Sequence, residues 1–424
     1  MHSTKDKMKN FRSTVFTGVK QNCSGCGACA QVCAHEAITM QEDNEGFLFP
    51  KVDSTKCLLC GLCDNTCPEV NARCENQLDY QQCYLAINKT PKVYKDCATI
   101  GLCTMLSEII LSKGGCVFGV KLDEDIWKAK HVCVDDINYL KQIKNSKYIQ
   151  SDTGNTFKTT KKYLKKGQIV LFIGTPCQIS GLKAYLRRDY DTLYTIDIFC
   201  HGIFSYKILQ KEIGYWKSMF GTSIKHFKFR SRIKYDWSYG GVVNFDVINE
   251  KRLSKHVERH GSASPAYRLY AYSPDGKSYT LRETCYTCKF RDEGRYGDIS
   301  IGDAWKIKGD HQDVFTAINR KNGISAFSCN TKKGQKLLTL CIEKVELKRI
   351  DRKDFFCQDA LLPTNREIPI ERYQIYNHIE VKNWSQYIQS FFGVNLEKVQ
   401  RDFERKVFVN KIKYVIKLFL RWKK

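Results

Sequence analysis

From residue 166 onward the chain alternates short apolar runs with stretches of helical spacing. Ile169 to Ile173 are too few for a buried helix and rich in β-branched side chains, which predicts a strand covered on both faces. Gly174 and Pro176 punctuate it, and Ile179 to Tyr185 resume at helical spacing. A second apolar segment, LYTIDIF, leads into Cys200, His201 and Gly202. The crossover of such a strand–helix–strand unit makes its two strands parallel and sets Cys177 and Cys200 at one carboxyl edge. Open α/β sheets bind ligands at that edge. Upstream, GGCVFGV and KHVCV read as strands; downstream, DISIGD reads as another. The stretch KHFKFRSRIKYDWSYGGVVNFDV alternates like antiparallel strands.

These patterns divide the chain into an N-terminal module over 1–75, an α/β segment over 76–165, a main α/β core over 166–335 and a helical, basic region over 336–424. The expected fold class is a multidomain α+β and α/β protein with a helical C-terminal tail.

Hydrophobic content of 42% with 27% charged residues fits a soluble globular chain of 424 residues. The 21 cysteines change the picture. The opening residues MHSTKDKMKNFRSTVF carry charges and no apolar stretch of signal-peptide length, so a reducing cytoplasm, and with it metal or redox chemistry, is expected rather than disulfides. The net charge of +24 lies outside residues 1–75, which hold 8 Lys and Arg against 9 Asp and Glu. Such a field attracts nucleic acid, an acidic electron carrier or an anionic membrane surface. Basic and aromatic residues are interleaved at 225–247, but no nucleic-acid-binding motif accompanies them, so no nucleic-acid partner is expected.

CSGCGACAQVC places Cys23, Cys26, Cys29 and Cys33; CLLCGLCDNTCP repeats the spacing 34 residues later with Cys57, Cys60, Cys63 and Cys67. A CxxCxxCxxxC run wraps three thiolates round one iron–sulfur cube and sends the fourth to its neighbour. Crossed ligation follows, with Cys23, Cys26, Cys29 and Cys67 on one 4Fe-4S cluster and Cys57, Cys60, Cys63 and Cys33 on the other. Pro68 follows the last cysteine as the pattern expects, whereas Ala34 follows Cys33. Two zinc knuckles are the alternative, though zinc gives no reason for eight thiols in this doubled spacing. The pair in ETCYTCKF adds Cys285 and Cys288 to Cys177 and Cys200, which completes four ligands for a third 4Fe-4S cluster. A redox-active CxxC or a zinc site are the competing readings. The remaining cysteines, at 74, 83, 97, 103, 116, 133, 329, 341 and 357, show no ligand spacing and read as small buried hydrophobes.

With SKYIQS at 146–151, GTPCQISGLK, IFCHG, CYTCKF, Arg295 and GDISIGDAW, the chain from about 20 to 335 resembles the coenzyme F(420) hydrogenase/dehydrogenase beta subunit family, here with an N-terminal dicluster ferredoxin module. The resemblance implies an FAD-containing iron–sulfur oxidoreductase with a flavin-binding α/β core. Residues 76–165 would then be the family's N-terminal segment and 166–335 its C-terminal core. It supports Cys177, Cys200, Cys285 and Cys288 as cluster ligands, and implies flavin contacts at Ser146, Lys147, Tyr148, Gln150, Thr175 and Gln178. Asp298, Gly302, Asp303 and Trp305 match the family pattern with a structural role. His201 is the candidate catalytic proton donor, against the alternative of a satisfied buried histidine.

Three functional classes follow: a flavin enzyme that acts on its own substrate, an electron-transfer subunit of a larger redox complex, and a cluster-bearing nucleic-acid-binding protein. The first is the expectation, with ferredoxin or flavodoxin as electron carrier, a small-molecule or lipid-linked substrate, a role in cell-envelope polysaccharide metabolism, and self-association into a homo-oligomer. The segment 405–424 holds eight Lys and Arg and no acid, with no more than three apolar residues in a row, so it is not a span. On a helical wheel Val407, Phe408, Ile412, Val415, Ile416, Phe419 and Trp422 share an arc. This predicts an interfacial helix on the inner face of the cell membrane, or a helix docked on the protein's own core.

Overall fold

The computed structural model describes residues 11–71, 80–220, 223–248, 254–307, 311–381 and 383–422, the side chains of Tyr414 and of 417–422 excepted; Cys74 lies outside the described residues. It forms two compact units, one of Met1–Tyr206, Arg232–Tyr239 and Leu281–Ile368, the other of Lys207–Ser231, Gly240–Thr280 and Pro369–Lys424.

The first unit begins with the cysteine-rich module. Its hairpin pairs β1 (Ile38–Glu42) with β2 (Leu48–Val52), Ile38 opposite Val52, and lies between the short helices Ala28–Val32 and Leu62–Thr66. Each helix starts at a left-handed glycine, Gly27 and Gly61, 34 residues apart as the repeat requires. Two positions earlier the first loop has Gly25 at φ 69° and the second has Leu59 at φ 53°, so the two arrays share a backbone even where one lacks glycine.

The rest of this unit is a mixed nine-stranded sheet. Its strands are β3 (Gln82–Asn88), β4 (Cys116–Asp123), β5 (Lys128–Val134), β6 (Ser151–Asp152), β7 (Val170–Gly174), β8 (Leu193–Ile198), and, beyond the second unit's three, β12 (Ile299–Asp303), β13 (Ser325–Cys329) and β14 (Val345–Ile350). They run in the order β14-β3-β13-β12-β8-β7-β4-β5-β6. The pairs β4/β7, β7/β8 and β8/β12 are parallel, as the strand–helix–strand reading requires. β7 is covered on both faces. Leu171 packs with Met105, Ile110, Ile196 and Phe327, whereas Val170 and Phe172 pack with Phe157, Ile179 and Leu182. Each fully buried side chain of this kind contributes about 1.5–3 kcal/mol. Cys83, Cys97, Cys116, Cys329 and Cys341 are core side chains.

The second unit holds the antiparallel sheet β11-β10-β9, with β9 Ser223–Lys228, β10 Val242–Ile248 and β11 Ser254–His260. Phe227, Phe229 and Phe245 of the alternating stretch are buried, so these aromatics are core rather than a stacking surface. Glu212 is buried and satisfied: it accepts from Trp216 Nε1 (2.7 Å), Ser264 Oγ (2.7 Å) and Ala266 N (2.8 Å). The helices Ile370–Asn377, Trp384–Phe392 and Leu396–Trp422 complete it. Among the described residues no helix is long and apolar enough to cross a membrane.

Candidate functional site

The first thiol set is in place around a cavity. Cys23, Cys26, Cys29 and Cys67 line it together with Gly25, Gly27, Met40, Pro50 and Glu69. Pro68 also lines the cavity, while Cys33 Sγ accepts the amide of Ala37 (3.4 Å). Burial pushes the Cys26 thiol well above its ordinary pKa, and the nearby Cys67, Cys29 and Cys177 add to the shift. Cys63 is pushed up to about 12, by burial first and then by Cys57 and Cys60. Iron binding removes these protons, so the donor set of four thiols per site fits a cube held by thiolates. Among the described residues, no three His, Cys, Asp or Glu side chains close on the single point that one metal ion needs.

The module is held on the sheet by polar contacts that no local sequence pattern announces. Gln150 accepts the amide of Leu48 (2.9 Å) and donates to the carbonyl of Gly25 (3.1 Å). Thr153 Oγ1 donates to the Cys26 carbonyl (2.9 Å), and Gln31 Oε1 accepts the amide of Phe157 (2.8 Å). Arg282, fully buried, donates through Nε to the Cys23 carbonyl (2.6 Å) and through Nη1 to Gln150 (3.2 Å), and stands 3.8 Å from the centroid of Phe49. These residues clamp the first cysteine loop from outside.

The second gathering of thiols lies at the carboxyl edge. Cys177 opens the helix Pro176–Leu186, whose start is fixed by a capping box between Thr175 and Gln178. Thr175 Oγ1 lies 3.1 Å from Cys177 Sγ. Cys200 follows the end of β8, with only Phe199 between. The chain after it bridges back at Phe204 to Leu281, and Arg282 N donates to Ile203 O (3.0 Å), which brings the turn Glu283–Cys285 alongside. A Cβ added to Gly202 would stand 3.2 Å from Cys285 Cβ. Burial raises the Cys285 thiol to about 12, with Cys200 and Cys177 adding to it. Cys288 is raised by burial, then by Cys285 and Cys200. All four candidate ligands therefore stand near one another.

The loop carrying Cys288 is fixed by a buried ion pair. Arg295 Nη2 donates to Asp197 Oδ1 (2.5 Å), both side chains wholly buried, while the amides of Tyr296 (3.1 Å) and Gly297 (2.6 Å) donate to Asp197 Oδ2. Asp298 accepts from the amide and hydroxyl of Thr195 (2.8 Å each). Gly302 leaves room for the Phe199 ring where a Cβ would stand. Asp303 accepts from Trp237 Nε1 (2.8 Å), and Trp237 stacks on Trp305 with centroids 4.1 Å apart. These four positions hold the site's frame.

The first thiol set comes close to the helix that carries Cys177 at Gly181, four residues further along it. A Cβ there would lie 3.0 Å from Cys26 Sγ. Gly181→Val is expected to cost about 1–3 kcal/mol through overpacking, seen as a lowered thermal midpoint; an unchanged midpoint would show that the contact is slack.

The proposed flavin residues divide. Ser146, Lys147 and Tyr148 lie on the half-buried stretch that leads into the bridge between Ile149 and Phe204, close to the segment after Cys200. Lys147 Nζ is bonded to the carbonyls of Lys144 (2.6 Å) and Asn145 (3.2 Å), and burial lowers it to about 7. Gln150 is committed to the module, and Gln178 Nε2 to Ser151 O (3.2 Å) and Oγ (2.9 Å). His201 is lowered to about 4 by burial, then by Arg366 and Arg291. Sequence reasoning misses Arg291. It is buried, its Nε and Nη1 have no hydrogen-bond partner among the described residues, and its charge acts on Cys288 and Cys200. Its only signal is its place three residues after Cys288.

A cysteine-repeat module clamped to an α/β sheet whose carboxyl edge gathers four more thiols defines an iron–sulfur redox protein. Residues 167–353 match the family model described as the C terminus of the coenzyme F420 hydrogenase/dehydrogenase beta subunit, and residues 22–71 match that of the 4Fe-4S dicluster domain. A coenzyme F420-dependent sulfite reductase of Methanocaldococcus jannaschii is 23% identical over 74% of this chain and 45% of its own length. The B component of a Na(+)-translocating ferredoxin:NAD(+) oxidoreductase complex of Acetobacterium woodii is 42% identical over 52 residues, 12% of this chain and 14% of that protein. The chain thus spans less than half the length of either relative. A chain of the F420-reducing [NiFe] hydrogenase complex from Methanosarcina barkeri aligns with a TM-score of 0.40 and 17% identity, covering 72% of this chain and 90% of that one. The chain is thus similar to iron–sulfur oxidoreductases in both its N-terminal module and its α/β core.

Proposed function

We propose that the chain is the electron-transfer component of a larger redox assembly, holding three 4Fe-4S clusters in series. Cys57, Cys60, Cys63 and Cys33 would hold the outer one, Cys23, Cys26, Cys29 and Cys67 the middle one, and Cys177, Cys200, Cys285 and Cys288 the inner one. The observation that carries this is the position of Cys26, which lines the first cavity with Cys67 and at the same time faces Cys177 and Gly181. A cluster at each set would supply one-electron transfer. The chain's own residues fix the spacing: Arg282, Gln150 and Thr153 hold the middle set against the sheet, and Asp197 with Arg295 holds the inner one. Cys60 and Leu58 are exposed, which favours the outer set as the point where a soluble carrier, ferredoxin or flavodoxin, exchanges electrons.

A second reading adds FAD at the inner end and a substrate of the chain's own, small or lipid-linked, as in cell-envelope polysaccharide metabolism. It is supported by the ligand-binding carboxyl edge beside Cys177 and Cys200, where Tyr148 and His201 also lie. Both readings are tested by one anaerobic preparation assayed for iron, sulfide and heat-released flavin. About twelve iron atoms per chain are expected from three cubes. Iron near eight with all twelve thiols intact removes the inner set; full iron without flavin after reconstitution removes only the second reading.

A further inference from the structure

The helix Leu396–Trp422 packs on its own unit along a single stripe. Leu396, Gln400 and Val407 are buried, and Phe403 stacks on His260 with ring centroids 4.1 Å apart. Gln400 Oε1 also accepts the amide of His260 (3.1 Å). The spacing of four, three and four residues is that of one helix face, and the face ends at Val407.

Directly after it a different face is apolar and open. Phe408 is 65% exposed, Val415 58%, Ile416 52%, Val409 45% and Ile412 43%. At about 100° per residue, Phe408, Ile412 and Val415 fall within about 60° of one another and about a quarter turn or more from the stripe that ends at Val407. The open face is therefore not an overrun of the docked one. In the sequence Phe419 and Trp422 continue it. Eight Lys and Arg and no acid accompany it between Arg405 and Lys424.

We propose that this second face seats the protein on an anionic membrane surface. Phe408, Ile412 and Val415 enter the boundary between headgroups and acyl chains, and Lys413 stays among the headgroups. Charge chooses the occupant. A second copy of the same helix would set eight cations against eight, whereas anionic headgroups neutralise them. The helix lies along the surface, because it is too charged to cross. Binding by this face does not depend on the clusters.

The test uses the full chain, cluster-loaded and handled without oxygen, sedimented with phosphatidylglycerol–phosphatidylcholine vesicles and with phosphatidylcholine alone. Sedimentation is expected with the anionic vesicles, reversed by salt, and reduced at least about tenfold in the double variant Ile412→Glu, Val415→Glu, with iron content unchanged. No sedimentation with anionic vesicles, equal sedimentation with neutral ones, or an unaffected double variant would each overturn the proposal. So would a wild-type dimer that ignores vesicles and becomes monomeric in the double variant, since a second copy would then cover the face.

Discussion

Asp197→Ala is expected to cost about 3–5 kcal/mol of folding stability, the usual penalty for leaving one member of a buried ion pair alone. Domains of this kind have about 5–15 kcal/mol in total, so the loss is a large fraction of it. The side chain sits at the end of β8 with no exposed surface and takes one guanidinium and two backbone amides. Without it, Arg295 loses its buried carboxylate partner, although it still reaches Ser300 Oγ (3.2 Å) and Phe290 O (3.4 Å). The amides of Tyr296 and Gly297 lose their acceptor as well. Denaturant unfolding of the cluster-free protein measures the effect without interference from iron. The double variant Asp197→Ala, Arg295→Met should recover part of the loss, because removing both charges abolishes the unpaired one. A midpoint that does not move in the single variant would mean that water or another acceptor replaces Asp197, and that the pair does not set the inner loop.

The strand–helix–strand around Cys177 was legible because its signals are local. Five apolar residues, then Gly174 and Pro176, leave little choice, and the structure has β7, the helix and β8 there with the parallel pairing the crossover demands. The doubled cysteine spacing was legible for the same reason, since a repeat of eight thiols is visible without any fold. What was not legible depends on residues far apart in the chain. Arg282 meets Cys23 across 259 positions and Gln150 meets Gly25 across 125, and neither residue type in its local sequence marks a clamp. The family resemblance assigns Gln150 and Gln178 to the flavin, yet their amides are engaged with the module and with Ser151. The second unit was equally hidden. It is assembled from three separated stretches of chain, while the sequence pattern divides at contiguous boundaries.

The clearest division of labour among the thiols is expected between Cys177→Ser and Cys60→Ser. Cys177 stands at the first turn of a buried helix, with Cys200, Cys285 and Cys288 around it and Thr175 Oγ1 at 3.1 Å. Serine is a poor iron ligand, and its hydroxyl in this buried place would turn to Thr175 instead. Iron should fall from about twelve to about eight atoms per chain, and the reduced protein should keep the spectroscopic signals of the module alone. Cys60, by contrast, is exposed at the outer end. Its replacement should damage the outer set and leave the inner one loaded, so the two variants should lose different signals on reduction. Electron delivery distinguishes them further: a soluble donor should still reduce the module in Cys177→Ser, but should reduce the inner set of Cys60→Ser slowly if the outer thiols are the entrance. Were Cys177→Ser to retain all its iron, the four thiols at the carboxyl edge would not be a ligand set. The series arrangement would then stop at Cys26, which Gly181 lets approach the helix that carries Cys177.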